Sequence, residues 1–385
     1  MHEKRGRAEL PSPDPQALAA SRALLDRIGA ELGAAGNWIS FARYMELVLY
    51  EPGLGYYAAG ARKLGAGGDF VTAPELSPLF GRTLARQVAQ LLQPGDAILE
   101  FGAGSGALAA SVLDQISVPY FVLETSSDLR QRQQQLLGDS VQWIDRLPER
   151  FRGVMLANEV VDAMPVHALA WTPAGVLERG VCANEGTGEE HTRVLAWSDR
   201  AAKDQVLAHA NELDVEIPPS GRYESELALL ARAWMRSLGR FLERGAILVV
   251  DYGFPAREYF HPQRSMGTLA CHYRHHVHDD PFYLPGLQDV TAHVDFSALA
   301  GAAADAGLDV LGYANQTQFL VNCGITELLA EENPADPKRY LPAAAAAQKL
   351  LSPSEMGELF KVLAVGKGVK DSLMGFSQGD RSGTL

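Results

Sequence analysis

Cysteine is scarce in this chain: the three present in 385 residues, Cys182, Cys271 and Cys323, offer neither a disulfide framework nor a CxxC metal site. They read as core thiols in a reducing compartment. Positive charge is also short. With 34 Lys and Arg against 47 Asp and Glu, the formal net charge is -13, so no basic field exists to neutralise phosphates and nucleic acid is not expected as a partner. Long apolar runs are missing too, since stretches such as "GAILVVDYG" fall well short of the roughly 20 residues that span a bilayer. No apolar segment follows the opening "MHEKRGRAELPSPDPQ", so a signal peptide is not expected and the cytoplasm is the default location.

What is present is ordinary globular usage, 47% hydrophobic and 21% charged, in a chain long enough for one large core or two modest ones. Residues 16–33 and 40–50 carry apolar residues at helical spacing, and the second segment stops at "EPGLGYY", where proline and glycine end helices. A glycine-rich loop follows, and Ser77 and Pro78 read as an N-cap and first helical residue. From residue 96 the pattern becomes strand, helix, strand. "DAILEFGAG", "PYFVLE", "VQWI" and "GVMLANE" are short apolar strands, "SGALAASVLDQI" and "SSDLRQRQQQLL" are helices, and their alternation predicts a parallel, doubly wound α/β sheet.

Residues 168–198 break that rhythm with alternating patterns and turn residues, so an antiparallel insertion is expected. A helix over about 224–243 leads to a fifth strand, "RGAILVVDYG", and "GLDVLGYANQ" and "LFKVLAVGKG" bring the core to seven strands. Residues 318–356 read as helical and the tail from 370 as surface-bound or frayed. The expected organisation is an N-terminal helical cap with a glycine-rich loop (1–95), the first half of the core (96–167), inserted strands and helices (168–244), the second half of the core (245–316), and a helical insertion with the last strand and tail (317–385).

The strongest chemical signal is "LEFGAGSGALA". Glu100, Gly102, Gly104 and Gly106 fall at alternate positions between a strand and a helix, with Ala103 and Ser105 between them. Glycines there let the backbone turn tightly and approach a ligand, and the helix start offers free N–H groups. Eighteen residues after Gly106, Glu124 ends the second strand, where a carboxylate can accept both hydroxyls of a ribose. The pattern also satisfies the dinucleotide motif GxGxxA, which keeps an NAD-dependent oxidoreductase as an alternative. Glu100 favours a cationic ligand over a pyrophosphate, which points to S-adenosyl-L-methionine (SAM).

Together "GDFVTAPELSPLFGRTLA", "LEFGAGSGALA", "ANEVVDAMPV" and "MGELFKVLAVGKG", in this order over roughly 40–370, resemble the MidA-type methyltransferases, whose mitochondrial member is a complex I assembly factor. The resemblance implies a seven-stranded Rossmann-like class I SAM-dependent methyltransferase core, with an N-terminal helical region, inserted substrate-side elements and an antiparallel seventh strand. It also implies a protein acceptor: an arginine in a subunit of NADH:quinone oxidoreductase. A small-molecule O- or N-methyltransferase and a SAM-binding assembly chaperone stay open, as does the oligomeric state, with a homodimer among the arrangements.

On that reading Glu159 and Asp162, at the carboxyl end of the fourth strand, have the chemistry to grip a guanidinium, which presents five donors in a planar fork. Glu159 matches the first glutamate of the two-glutamate loop in the better-known arginine methyltransferases. The second has no match at its usual spacing, and the Thr-His-Trp signature is missing. The competing reading gives Asn158 and Glu159 to the cofactor or a turn and makes Asp162 a loop tether. Thr72 could contact the cofactor or cap a helix, and Asp69 could face the substrate. Asp145, with Trp143 and Ile144, stands where class I enzymes often hold adenine. Asp251 and Tyr252, at the sheet's ligand edge on the fifth strand, and His272 and His275 in "CHYRHHVHDD", read as a loop after that strand lining the substrate entrance, are placed toward the substrate. The spacing of these histidines fits no zinc pattern, so no metal is expected.

Overall fold

A computed structural model describes residues 10–59, 71–185 and 193–385. Its main sheet holds seven strands, numbered β1 to β7 in chain order: Ala97–Phe101, Tyr120–Leu123, Gln142–Ile144, Phe151–Asn158, Leu242–Phe254, Asp309–Asn315 and Phe360–Lys367. Their spatial order is 6-7-5-4-1-2-3. Strands β1 to β5 run parallel, and β7 lies antiparallel between β5 and β6. Val294–Asp295 adds a short strand beside the end of β5.

The continuous apolar runs of β4 and β5 follow from burial on both faces. Val154, Leu156, Ala246, Leu248 and Val250 join a core completed by Phe80, Leu84, Val88, Leu108, Phe319 and Leu350, on the helices Pro78–Leu91, Ala107–Leu113, Gln316–Asn322 and Pro337–Leu351. Met155, Ala157, Ile247 and Val249 face the other way, onto Met235, Leu238, Phe296 and Leu299 of the helices Leu229–Phe241 and Phe296–Asp305.

The expected caps are present. The Ser77 hydroxyl accepts from Leu79 N at 3.1 Å and Pro78 opens the helix, while a short helix, Ala73–Leu76, precedes it. The antiparallel insertion forms a second sheet of His167–Thr172, Gly175–Glu185, Arg193–Ala201 and Tyr223–Leu227, joined by Ile39–Ser40 from the N-terminal region. The helical cap and the insertion therefore share one sheet.

Two readings need correction. Residues 223–227 are a strand, not the start of a helix: Tyr223, Ser225 and Leu227 are buried as the segment pairs with His167–Thr172, so tertiary pairing overrides helical propensity. The histidine-rich segment is also no plain loop. Ala270–Tyr273 and His276–His278 form a hairpin whose turn residues Arg274 and His275 take positive φ, and Asp289–Thr291 adds a third strand. The tail packs, with Phe376 against Phe319 at 5.4 Å and Arg381 N donating to Tyr313 O. Among the described residues, no helix is long and apolar enough to cross a membrane.

Candidate active site

The carboxyl ends of β1, β2 and β4 open on a cavity of about 270 Å³. Its walls include Glu100, Gly102, Ala103, Gly104 and Ser105 after β1, Glu124 after β2, and Asn158 and Glu159 at the end of β4. Gly102 and Gly104 take φ of 57° and 56°, left-handed values that let the loop fold back against the sheet edge. Gly106, at φ 85°, begins the Ala107–Leu113 helix without lining the cavity; a Cβ there would come within 3.2 Å of Leu137 Cδ1. It shapes the loop instead of touching the ligand space.

Among the described residues, three carboxylates and no basic side chain line this space. Glu100, 2% exposed, accepts a 2.7 Å hydrogen bond from Tyr120 OH, and burial, with Glu124 adding to it, raises its pKa to about 7. Glu124 accepts from Ser126 N at 2.9 Å and from Gln133 Nε2 at 3.0 Å, and burial raises it as well. Glu159 is half-buried at φ 53°, its amide bonded to Val250 O. Its Oε1 accepts from Ala73 N at 3.3 Å and Asn158 Nδ2 at 3.2 Å; burial first, then the charge of Asp162, pushes its pKa to about 8. Three carboxylates held this far out of water call for a positively charged ligand.

Asn158 carries the same message. Its Oδ1 is buried without a hydrogen-bond partner among the described residues, although the side chain lines the cavity. An orphaned acceptor in a ligand space costs free energy until a donor arrives. The α-amino group and the sulfonium of SAM supply a donor and a second positive charge, so the residues fit this cofactor: Asn158 and Glu100 for its charged end, Glu124 for the ribose, the Gly102–Ser105 loop between.

Several expected site residues lie elsewhere. Asp162 is 7% exposed and does not line the cavity; its carboxylate is bonded to the Tyr252 hydroxyl, and burial raises its pKa to about 6. It is a charge behind Glu159, not a second arm of a clamp in the cavity. Asp251 is fully buried: Oδ2 accepts from Val161 N at 2.9 Å and Asp162 N at 3.2 Å, and Oδ1 from Tyr252 N at 2.9 Å. Backbone amides at the carboxyl end of β4 and β5 claim it, so it holds the loop carrying Glu159 and faces no substrate. Tyr252 stands behind the same loop, outside the cavity wall.

His272 lies on the Ala270–Tyr273 strand and exposed His275 in the hairpin turn, neither on the cavity. Trp143, Ile144 and Asp145 line a different cavity of about 1020 Å³ at the edge of the sheet, where Asp145 pairs with Arg130 at 2.5 Å. Trp143 reaches the cofactor side only indirectly, donating to Gln133 Oε1, whose amide also donates to Gly104 O. Thr72 does line the cavity while its amide donates to Glu75 Oε2 at 3.4 Å, so ligand contact and helix capping coincide there. Asp69 falls outside the described residues.

Sequence reasoning missed Tyr50, Tyr57, Met164 and Trp234, which complete the walls. Tyr50 and Tyr57 stack at 5.6 Å, with Tyr50 OH donating to Ala163 O at 2.9 Å and Tyr57 OH to Asp289 Oδ2 at 2.8 Å. The aromatic cluster around "EPGLGYY" was their signal, but it reads equally as core.

A Rossmann-like sheet in this strand order, with a glycine loop and acidic cofactor pocket on its carboxyl edge, defines a class I SAM-dependent methyltransferase. The chain belongs to a family of S-adenosyl-L-methionine-dependent methyltransferases, whose model matches residues 79–314. It is 29% identical to the mitochondrial protein arginine methyltransferase NDUFAF7 of Danio rerio, covering 90% of this chain and 87% of that protein. The Homo sapiens protein of that name is 28% identical, with 85% and 80% covered. A Burkholderia thailandensis protein crystallised with S-adenosyl-homocysteine is 48% identical and superposes with a TM-score of 0.91, covering 98% of this chain and all of that one.

Proposed function

We propose that the chain transfers the methyl group of SAM to a guanidinium nitrogen of an arginine in a protein. The arginine and the protein acceptor are read from the names of the NDUFAF7 relatives; a complex I subunit is the finer expectation from the family resemblance, and the cytoplasm is the default location. Glu159 is the observation that carries the reading: a half-buried carboxylate beside the cofactor loop, raised by burial and by Asp162, in a cavity that no cationic side chain among the described residues lines. A bound guanidinium stabilises its ionised form.

Bound SAM supplies an electrophilic methyl on a sulfonium. Glu159 orients the acceptor nitrogen in line with the carbon–sulfur bond, a positioning effect that dominates such transfers. The new nitrogen–carbon bond forms as the carbon–sulfur bond breaks, and the methylated guanidinium sheds one proton to the Glu159 carboxylate, from which it passes to water. Asn158 Nδ2 and Ala73 N hold Glu159 Oε1 in place for this. Incubation with methyl-labelled SAM and cell extract, followed by amino-acid analysis of the labelled species, tests the proposal. Labelled methylarginine in protein is expected; label only in small metabolites would overturn it.

A further inference from the structure

A second depression adjoins the transfer cavity. It measures about 570 Å³ and lies between the Phe41–Tyr50 helix, the start of the His167–Thr172 strand and the Leu229–Phe241 helix. Tyr50, Met164 and Trp234 line both spaces. These three side chains therefore form a neck between an outer groove and the place where Glu159 meets the cofactor loop.

The groove's own chemistry is selective. Leu230, 50% exposed, offers an apolar contact on its rim. Arg43 pairs with Glu31 at 2.5 Å and Glu46 at 2.7 Å, and Arg27 with Glu31 and Glu51, so this linked cluster behind the groove holds three carboxylates against two guanidiniums, and its most exposed carboxylate, Glu46 at 54%, is the one on the groove wall. His167 is engaged by Glu178 at 2.7 Å. Among the described residues, no unpaired cation lines the groove to attract a phosphate or carboxylate. An extended polypeptide with basic character fits: apolar contact on Leu230, a negative rim for its charge, and a neck shared with the cavity that holds Glu159.

We infer that this groove binds the polypeptide flanking the methylated residue, whose side chain reaches Glu159 through the Tyr50–Met164–Trp234 neck. The inference rests on the protein-acceptor reading above. It gives the helical cap and the antiparallel insertion a shared task, because they supply opposite walls.

The test uses the full chain saturated with S-adenosyl-homocysteine and a fluorescent Gly-Arg-rich peptide of about 15 residues, long enough when extended to overrun the groove. A twin peptide has lysine in place of every arginine. Binding is read by anisotropy, and methyl transfer is measured separately with SAM for the arginine peptide and for N-acetyl-arginine amide. Leu230→Arg should weaken both peptides about tenfold or more, leave the unfolding temperature and S-adenosyl-homocysteine affinity unchanged, and remove any advantage of the arginine peptide over the amide as acceptor. Ala42→Trp, which fills the groove from its other wall, should do the same. Wild-type binding of neither peptide, or binding that both variants leave intact, would overturn the groove. Peptide binding lost in both variants without transfer to either arginine acceptor would instead support the groove and sink the arginine reading.

Discussion

Asn158 Nδ2 donates to Glu159 Oε1 at 3.2 Å, while Asn158 Oδ1 on the same amide has no partner among the described residues. One side chain thus steadies the proposed acceptor-binding carboxylate and presents a bare acceptor to the cofactor space. On the proposed reading the two neighbours at the end of β4 divide the work: Asn158 toward SAM, Glu159 toward the methyl acceptor.

The pH profile follows from the carboxylates. Glu159 is held near pKa 8, so in the free enzyme it is largely protonated at pH 6.5 and ionised at pH 9. Since the acceptor needs the carboxylate, kcat/KM should rise with pH through about 8 and then level. Stability should run the opposite way. A carboxyl group whose pKa is higher folded than unfolded stabilises the fold below its unfolded value, and that contribution disappears as pH rises through the folded value. Glu100 at about 7 and Glu159 at about 8, against an ordinary value of 4.5, spread that loss from about pH 4.5 to about pH 8, with its last part above pH 6.5. Differential scanning of the ligand-free protein should show a midpoint lower by a few degrees at pH 8.5 than at 6.5, with SAM narrowing the difference.

Gly104→Val tests the cofactor loop. A β-branched residue at φ 56° is strained by roughly 1–2 kcal/mol, and its side chain enters the cofactor space. The variant should fold, with a modest loss of thermal stability, yet show no upward shift of its midpoint with SAM. A wild-type shift in this variant would mean that the loop does not hold the cofactor.

Asp251→Asn tests the loop tether. The substitution replaces an acceptor-only carboxylate facing three amides with a group that brings its own donors, and about 1–3 kcal/mol should be lost in denaturant unfolding. SAM affinity and turnover should both fall, because Val161 and Asp162 belong to the turn that carries Glu159. Loss of turnover alone, at full stability, would put Asp251 in contact with substrate instead.

Much of this was legible in the chain. The continuous apolar runs of β1, β4 and β5 could only be strands buried on both faces, and glycines at 102, 104 and 106 fixed the loop after β1 as a close approach to a ligand. Backbone patterning was less clear where partners decide: the segment Tyr223–Leu227 reads as helix locally and becomes a strand because His167–Thr172 lies beside it. The same limit applied to the site. Glu159 and Asp162, three residues apart beyond a strand, look equivalent on paper. Which one lines the cavity depends on the turn that Asp251 fixes from 89 residues away. Tyr50 and Trp234 were hidden for a related reason, since only the folded chain brings the cap and the insertion to the sheet edge.

Glu159→Gln is the measurement that bears most directly on the central claim. Glutamine keeps the size and an acceptor for Asn158 and Ala73 but removes the charge that meets a guanidinium and takes its proton. Calorimetric titration with SAM should give an affinity within a few fold of wild type, while transfer to protein arginine falls by about 10²–10⁴-fold. Equal losses of SAM affinity and transfer would assign Glu159 to the cofactor, and undiminished transfer would remove it from the reaction.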